Sequence, residues 1–389
     1  MDSSDTRDSS TSPSTGLRVD ACRVALVGCG RVGQLHAEIL GQRLVDGAEL
    51  AAACDIDIQR ARSVGSRYGC PAFSDLHEMM RSGSPIDVVA VLTESGNHAR
   101  DAIALAPYGR HLLIEKPMAL RLHDTDRMIK ACASHGFQLF VVHQNRFNWA
   151  VRQLYRALQT QALGEPFLLN SRLRWCREEA YYRSSAWRGS WRLDGGVLAN
   201  QGIHYLDLMQ WLLGPVASVT AHATTALAPI EAEDSAVVLI EFANGAIGSF
   251  EATTAARPVD LEGSLTVMGS GGVIEVGGTA LDQIRTWNCR LALEANPSPD
   301  RLVNRDWGIY GVGHLDVYAD LVECVRTGRR PQVDGIEARR SVALLQAVYA
   351  SIESGTCARL ETEPESQLLG NDFDGLNPRL TSSLAPGSA

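Results

Sequence analysis

Arg23-Val-Ala-Leu-Val-Gly-Cys-Gly-Arg-Val-Gly33 is the stretch that decides the fold of the N-terminal half. Its apolar start is typical of a buried parallel strand, and Gln34–Leu40 continues it with helical spacing. In the pattern Gly28-x-Gly30-x-x-Gly33, the first glycine permits a tight turn, the second lets a pyrophosphate approach the backbone, and the third packs helix on strand. A strand before the glycines and a helix after them are the context that a dinucleotide-binding motif requires.

A second apolar run, Glu49–Cys54, ends at Asp55, where the next parallel strand would end. An acid at this place can bind both hydroxyls of an adenosine ribose, and its charge would repel the additional phosphate of NADP. The sequence therefore favours NAD as the cofactor. The alternative is that Asp55 caps a helix that the spacing predicts over Gln59–Tyr68.

Helical and strand-like segments alternate through the rest of this half, which predicts a doubly wound parallel sheet. The predicted helices are Asp75–Arg81, His98–Pro107 and Leu122–His135, and the predicted strands are Ile86–Leu92, His111–Ile114 and Gln138–Val142. Ligands bind such sheets at the carboxyl ends of the strands. The polar segments at those ends are Thr93–Ser95, Glu115–Pro117 and Gln144–Arg146. Topology alone thus places Lys116 at the cofactor crevice.

From about residue 147 the pattern changes to helical spacing and then to β-rich sequence. Two hairpins are predicted, one from Ser235–Ala243 and Ala246–Thr254, the other from Leu265–Met268 and Val273–Val276. Asn244-Gly245 between the first pair is typical of a tight I′ turn. The predicted closing helices are His314–Arg326 and Glu337–Ser354. We therefore expect an α+β second domain built on a large, mostly antiparallel sheet.

Residues 172–214 contain four of the seven tryptophans, set among arginines, and lead into a helix predicted from about Asn200 to Leu213. Asn200 and His204 are four residues apart and share a helix face, on which Asp207 could orient the imidazole. Arginine and aromatic side chains ahead of a helix-borne histidine indicate a pocket for an anionic substrate with a proton acceptor in it. A basic, aromatic surface loop followed by a core helix is the alternative.

A net charge of −9 over 389 residues argues against nucleic acid as a partner. No apolar run reaches the roughly 20 residues that a membrane span requires, so no membrane association is expected. Nine cysteines without a CxxC pair favour buried thiols in a reduced, cytoplasmic protein, and we predict neither disulfides nor a metal site. Residues 1–18 and the residues after about Glu361 have the composition of disordered tails.

The glycine motif followed by Glu115-Lys116-Pro117 resembles the glucose–fructose oxidoreductase, inositol dehydrogenase and MocA family over about residues 20–360. The resemblance implies an NAD-binding Rossmann domain over residues 19–145, a substrate-binding and oligomerisation domain over 146–335 and a closing helix over 336–360. It also implies a homodimer or homotetramer, because the exposed face of the second sheet commonly forms an oligomer interface in this family.

Further segments are similar to bacterial dehydrogenases that oxidise the C3 hydroxyl of UDP-N-acetylglucosaminuronic acid for surface polysaccharides. They are Gln144–Asn148, Arg174–Arg177, Tyr181-Tyr182, Trp187–Gly189 and Asn200–His204. The resemblance implies that Lys116, Asn200 and His204 are catalytic. The implied cofactor contacts are Gly28, Gly30, Arg31, Val32, Gly33, Asp55, Thr93, Ser95, His98, Glu115, Lys116, Gln144, Trp187 and Arg188. The implied substrate contacts are Lys116, Arg172, Arg174, Tyr182, Asn200, Gln201 and His204, with Arg188 as a further candidate.

Two positions depart from the family pattern. Glu94 stands where a proline is usual, which adds a carboxylate beside the expected cofactor. Asn200 stands where many members of the family have an aspartate that pairs with the histidine. The closer relatives also have an asparagine at this position. Because an asparagine cannot take up a proton, His204 is left as the titrating group of the pair.

The combined prediction is hydride transfer from a sugar carbon to NAD, with neutral His204 accepting the hydroxyl proton and Lys116 stabilising the developing negative charge. Three alternatives stay open. The protein could act on another sugar or an inositol, or reduce a ketosugar. It could hydrolyse glycosides through transient oxidation by a bound NAD. It could also be a non-catalytic NAD sensor, although the pairing of Lys116 with His204 argues against that.

Overall fold

The N-terminal half forms a six-stranded parallel sheet with the strand order β3-β2-β1-β4-β5-β6. The computed structural model describes residues 21–296 and 311–371. The strands are β1 (Cys22–Val27), β2 (Ala48–Cys54), β3 (Ala72–Phe73), β4 (Val88–Val91), β5 (His111–Ile114) and β6 (Leu139–Val141). The intervening helices are α1 (Arg31–Gly41), α2 (Ile58–Tyr68), α3 (Leu76–Arg81), α4 (His98–Leu105) and α5 (Leu122–Ser134). The predicted doubly wound sheet is confirmed, and the two-residue β3 is the strand that hydrophobic periodicity missed.

The second half is built on an eight-stranded sheet with the order β13-β12-β11-β7-β10-β9-β8-β14. Its strands are β7 (Pro166–Arg174), β8 (Val216–Thr224), β9 (Ser235–Phe242), β10 (Ile247–Thr253), β11 (Glu262–Gly269), β12 (Gly272–Gly277), β13 (Gln283–Asn288) and β14 (Ala358–Arg359). The helices are α6 (Trp149–Gln159), α7 (Glu179–Arg183), α8 (Ile203–Leu213), α9 (Gly313–Thr327) and α10 (Gly335–Ser354). Within the described strands of this second sheet, only the β7–β10 pair is parallel. The predicted, mostly antiparallel sheet is thus confirmed.

The hairpin between β9 and β10 forms where it was predicted, but its turn is not of type I′. A I′ turn needs positive φ at both central residues, and only Gly245 has it, at 86°. Gly245 N donates to Phe242 O and Phe242 N donates to Ala246 O, so the loop contains three residues. The Asn244 side chain explains the difference, because it accepts from Ala246 N and donates to Leu213 O.

Two hydrophobic cores lie under the two sheets. Helix α9 packs into the first core through Leu315, Tyr318 and Leu321, although it follows strands β7–β13 of the second sheet in the chain. The predicted domain bounds stay a prediction. Helix α9 contributes to the core of the N-terminal half, although those bounds assign it to the second domain. Within the described ranges, no helix is long and apolar enough to cross a membrane. All nine cysteines are free, and Cys22, Cys29, Cys54 and Cys132 are buried.

The predicted C-terminal tail needs a correction for residues 361–371. Leu369 is fully buried in the second core, Gly370 N donates to Trp191 O, and Ser366 N donates to Gln346 Oε1. This short segment therefore belongs to the fold, because Leu368 and Leu369 are buried in the second core. Residues 1–20, 297–310 and 372–389, including the other predicted tail positions, lie outside the described part of the chain.

Candidate active site

A cleft of about 1060 Å³ runs along the carboxyl ends of the parallel strands and reaches the first turn of α8. Most of the predicted site residues line it. They are Gly28, Gly30, Arg31, Val32, Asp55, Thr93, Ser95, His98, Glu115, Lys116, Gln144, Trp187, Arg188, Asn200, Gln201 and His204. Glu94 also lines it, and its carboxylate accepts from Asn97 Nδ2 at 3.0 Å. The chain thus brings into one cavity groups that are far apart in sequence.

The glycine turn fits a bound dinucleotide. A Cβ on Gly28, whose φ is +100°, would lie 2.6 Å from Leu92 O, and a Cβ on Gly33 would lie 2.2 Å from Gly28 O. Gly33 therefore packs helix on strand rather than lining the cleft. A Cβ on Gly30 would meet nothing within 4 Å, so the space beside it is open to a ligand. No side chain caps the N-terminus of α1 there, as suits a helix end that receives a phosphate.

Asp55 lies at the end of β2 with 7% of its surface exposed and lines the cleft. Its carboxylate accepts from Cys29 N at 2.8 Å and from Asp57 N at 2.9 Å, which ties the glycine turn to the second strand. The helix cap that was the alternative role belongs to Asp57, whose side chain accepts from Gln59 N. Asp55 therefore keeps its remaining acceptor capacity for a ligand hydroxyl.

Glu115 anchors the segment that carries Lys116. Its Oε1 lies 3.2 Å from His36 Nε2 and 3.5 Å from His314 Nε2, and its Oε2 accepts from Lys116 N. These contacts hold the pKa of Glu115 well below its usual range against the effect of burial, so the carboxylate stays ionised. His36 in turn contacts Tyr318 OH at 2.7 Å. His36, Glu115 and His314 each offer one potential metal-ligating atom, and these atoms lie within 4.8 Å of one another. The three side chains already pair among themselves.

Lys116 lies opposite the start of α8. Its Nζ donates to the main-chain oxygen of Asn200 at 2.6 Å. Burial lowers the pKa of Lys116, while the charges of Glu115 and Asp194 oppose that shift. His204, on the first turn of α8, is 8% exposed, and its Nδ1 has no hydrogen-bond partner among the described residues. The lining of the cleft therefore includes both a lysine amine and an imidazole.

The sequence pattern predicted a regular helix from about Asn200, but α8 begins only at Ile203. Residues 198–202 form a π-helical turn, a feature that occurs mostly at functional sites. Glu233 holds the turn, because its main-chain oxygen accepts from Val197 N and its Oε1 accepts from Leu198 N. The wider turn carries Asn200 and Gln201 on the cleft side.

Asp207 does not orient His204, contrary to expectation. Its carboxylate accepts two hydrogen bonds from Arg146, at 2.7 and 2.8 Å, and one from Ser341 Oγ. The same carboxylate lies 3.6 Å from His143 Nδ1. His143 meets His204 edge to face, with ring centroids 6.3 Å apart. Asp207 is thus taken up by Arg146 and Ser341, while His143 packs against His204.

The predicted substrate contacts Arg172, Arg174 and Tyr182 are corrected, since none of them lines the cleft of the described chain. Burial alternates along β7, with Leu169, Ser171 and Leu173 in the core, which sends both arginines to the opposite face. There Arg174 forms a bidentate pair with Glu251 and Arg172 lies 3.7 Å from Glu262. The Tyr182 hydroxyl is buried against Thr254 Oγ1.

Other residues of the same segments do lie in the cleft. Trp175, Arg177 and Tyr181 line the cleft, and the Arg188 guanidinium lies 4.3 Å from the Tyr181 ring centroid and 4.7 Å from that of Trp187. The period-two alternation of Leu169-x-Ser-x-Leu173 was the signal that could have assigned Arg172 and Arg174 to a strand. Arg60, Arg100 and Thr279 also line the cleft, and no motif marked them.

Comparison with known proteins agrees with this geometry. Residues 22–143 match the oxidoreductase family with an NAD-binding Rossmann fold, and residues 151–275 match the GFO/IDH/MocA C-terminal domain. D-apiose dehydrogenase of Paraburkholderia graminis is 27% identical over 90% of this chain and 92% of its own length.

Two solved structures are more similar in sequence. The WlbA dehydrogenase of Bordetella pertussis, in complex with NADH and UDP-GlcNAcA, is 36% identical with a TM-score of 0.78, over 87% of this chain and 98% of that one. The WlbA dehydrogenase of Chromobacterium violaceum, with the same two ligands, is 36% identical with a TM-score of 0.79, over 88% of this chain and 97% of that one. With both halves matched and its glycine turn shaped for a dinucleotide, the chain belongs to the GFO/IDH/MocA family of NAD-dependent oxidoreductases.

Proposed function

We propose that the protein oxidises the C3 hydroxyl of a nucleotide-linked sugar acid, UDP-N-acetylglucosaminuronic acid, to the 3-keto sugar. The observation that carries the proposal is the 36% identity, over nearly the whole chain, to two dehydrogenases that were crystallised with NADH and UDP-GlcNAcA. The reaction would serve the synthesis of surface polysaccharides. The resident cofactor is NAD, which supplies the hydride acceptor when bound.

The lining of the cleft suits an anionic, aromatic ligand of this kind. Arg188 adds positive charge, Arg177 is already paired with Asp260 at 2.9 Å, and Trp175, Tyr181 and Trp187 provide ring surfaces against which a sugar or a base can pack. Arg188 Nε and Gln144 Oε1 are buried without a hydrogen-bond partner among the described residues. Such atoms gain free energy when a polar ligand supplies the missing partner.

His204 is the proposed general base. Burial, then the charge of Lys116 and the proximity of His143, lower its pKa well below the usual imidazole value. The ring is therefore neutral at pH 7 and can take the hydroxyl proton as the hydride leaves the sugar carbon. Lys116 would donate a hydrogen bond to the same oxygen and stabilise its developing negative charge. Asn200 would orient the ligand without exchanging protons.

The test is to incubate the purified protein with NAD and UDP-N-acetylglucosaminuronic acid while NADH and free UDP are both followed. We expect NADH to form together with the 3-keto sugar, and no UDP to be released. A flat NADH trace, after bound cofactor and its reoxidation have been measured, would refute the proposal. UDP release without net NADH would instead identify the glycoside hydrolase alternative.

A second candidate is a dehydrogenase of a small free sugar, which the D-apiose dehydrogenase of Paraburkholderia graminis favours at 27% identity. Running D-apiose, myo-inositol and UDP-N-acetylglucosamine in the same assay separates the two. A free sugar would leave Arg177 and the ring of Trp175 without a nucleotide to bind. Greater turnover with D-apiose or myo-inositol than with the UDP-sugar acid would therefore select this candidate.

A further inference from the structure

Lys116 has an unusual setting for the group that faces the substrate. It is only partly buried, and its Nζ donates to the Asn200 carbonyl at 2.6 Å, an oxygen that belongs to the π-helical turn. A main-chain carbonyl carries no net charge, so this contact does not compensate the ammonium group. The charges that favour the ammonium form are therefore those of nearby carboxylates, Glu115 first and Asp194 second.

Asp194 supplies a carboxylate behind this contact. It is 2% exposed, and its Oδ1 accepts from Asn200 Nδ2 at 2.6 Å while its Oδ2 accepts from Gly189 N at 2.8 Å. One carboxylate thus holds the loop after α7 and the turn whose carbonyl contacts Lys116. Asn200 itself cannot ionise, so the negative charge beside the turn comes from Asp194, six residues earlier in the chain.

We propose that Asp194 is a positioning residue of the proposed dehydrogenase, which holds the Asn200 carbonyl against Lys116 and keeps Lys116 in its ammonium form. The inference rests on the proposed function for its catalytic meaning, but the Asp194–Lys116 coupling belongs to the free protein. Asp194 acts through Asn200 and through its charge, and it does not line the cleft.

The charges around Asp194 agree with this role. Burial raises the pKa of Asp194 to about 6, although the contacts with Gly189 and Asn200 and the charges of Lys116 and Arg188 oppose the shift. The carboxylate is therefore ionised at pH 7 and above. In that state it raises the pKa of Lys116, as Glu115 also does, whereas Arg188 lowers it. Among the described residues, Tyr182, His143 and His204 are further titratable groups coupled to Asp194 or Lys116.

The chain offers a direct measurement, because Lys116 and Lys130 are its only two lysines. Lys130 is exposed on α5, so Lys130→Arg leaves Lys116 as the single lysine signal. In protein labelled with ¹³Cε-lysine, the Lys116 resonance can be titrated by NMR in the absence of substrate. Asp194→Asn should lower the pKa of Lys116 by about one unit or more, because the charge of Asp194 raises that pKa and a nearby opposite charge typically has an effect of this size.

Asp234→Asn is the matched control. Asp234 is also buried and also accepts from main-chain amides, those of Ala226, Leu227 and Ala228, but it is not among the charges that shift the pKa of Lys116. It should leave the Lys116 titration unchanged. An unchanged Lys116 pKa in folded Asp194→Asn protein would overturn the proposal. If that variant does not fold, the Lys130→Arg protein still decides, because its Lys116 resonance should show a step near pH 6 from Asp194, and a resonance without that step would overturn the coupling.

Activity gives the second readout. In the NADH assay, Asp194→Asn should lower kcat at least tenfold while the Kd for NADH is retained, and the basic limb of the kcat profile should move to lower pH. The basic limb moves in this direction because Lys116 would lose its proton at a lower pH in the variant. A loss of kcat without that movement would make Asp194 merely structural and overturn the proposal. If wild-type protein has no activity while the NMR coupling is present, the proposed function fails and the Asp194–Lys116 pairing stands.

Discussion

At the level of single residues, the chemistry of the cleft depends on an imidazole that no described neighbour holds by a hydrogen bond. His204 is kept in place by packing against His143 and by the first turn of α8. A ring fixed by packing keeps both nitrogens available, one of them for a substrate hydroxyl. Its lowered pKa makes it neutral, and neutrality is what an acceptor of a proton needs.

Replacement of this ring should separate chemistry from cofactor binding. His204→Ala should lower kcat about 10²- to 10⁴-fold, because a positioned general base contributes that much to the rate. The Kd for NADH, measured by fluorescence titration, should change little, because the glycine turn and Asp55 belong to the ends of β1 and β2 and not to α8. His222→Ala, at an exposed position of β8, is the control. Unchanged turnover in His204→Ala would exclude the ring as the base.

Residue roles were predictable from sequence where topology brings strand ends together. Lys116 was placed at the crevice because β5 ends beside β4, and Asp55 because β2 ends beside β1. The partners of each side chain were not predictable in the same way. Asp207 shares a helix face with His204, yet its partner Arg146 comes from 61 residues away. Such long-range pairs follow from packing between elements, about which helical spacing carries no information.

At the level of elements, the junction of β1 and α1 has no spare volume. The Gly33 Cα faces the Gly28 carbonyl so closely that a Cβ would lie 2.2 Å from its oxygen. That contact is with backbone, which cannot rotate away. The close approach sets the angle at which α1 leaves the sheet, and with it the direction of the helix N-terminus toward the cofactor.

Two alanine substitutions in this turn should therefore behave differently. Gly33→Ala should cost about 2 kcal/mol of unfolding free energy, measured by urea denaturation, and should weaken NADH binding, because α1 must move away from Gly28. Gly30→Ala should weaken NADH binding alone, since its Cβ meets no protein atom within 4 Å and occupies the space of the ligand. Equal stability of Gly33→Ala and wild type would contradict the packing role of the third glycine.

The regular elements followed from sequence periodicity, and the irregular ones did not. The α/β alternation predicted the first sheet, because a 3.6-residue period and a continuous apolar run are both local signals. The π-helical turn at 198–202 depends on Glu233, which reaches it from the start of β9, 35 residues away from Leu198. A tertiary contact of this kind overrides the helical pattern of Asn200–Leu213 at its first turn.

For the molecule as a whole, Glu233 links three parts of the second core and makes its stability depend on pH. Its Oε1 accepts from Leu198 N and from Tyr349 OH, whereas Oε2 is buried with no partner among the described residues. Burial raises the pKa of Glu233 from 4.5 to about 7. The folded state therefore binds this proton more tightly than the unfolded state does. The resulting stabilisation is complete below pH 4.5 and is lost as the pH rises through about 7.

Glu233→Gln should remove this dependence. Between pH 4.5 and 7, the free energy of unfolding of the wild type should fall by about 3 kcal/mol relative to the variant, since each pKa unit corresponds to about 1.4 kcal/mol. Both proteins keep Asp194, so the difference between them isolates Glu233. Urea denaturation at several pH values measures it. Parallel stability curves for the two proteins would show that Glu233 does not titrate in this range.

The open face of the second sheet should determine the oligomeric state. Val237, Leu239 and Ile247 are 52%, 58% and 56% exposed on neighbouring strands β9 and β10, and an apolar patch of this kind marks an interface. In the predicted homodimer or homotetramer, Leu239→Lys would place an unpaired charge in that interface. Light scattering at micromolar concentration should then give the mass of a smaller species. Ile336→Lys, which alters a similarly exposed residue at the start of α10, should leave the mass unchanged. An undiminished mass for Leu239→Lys would remove this face from the assembly.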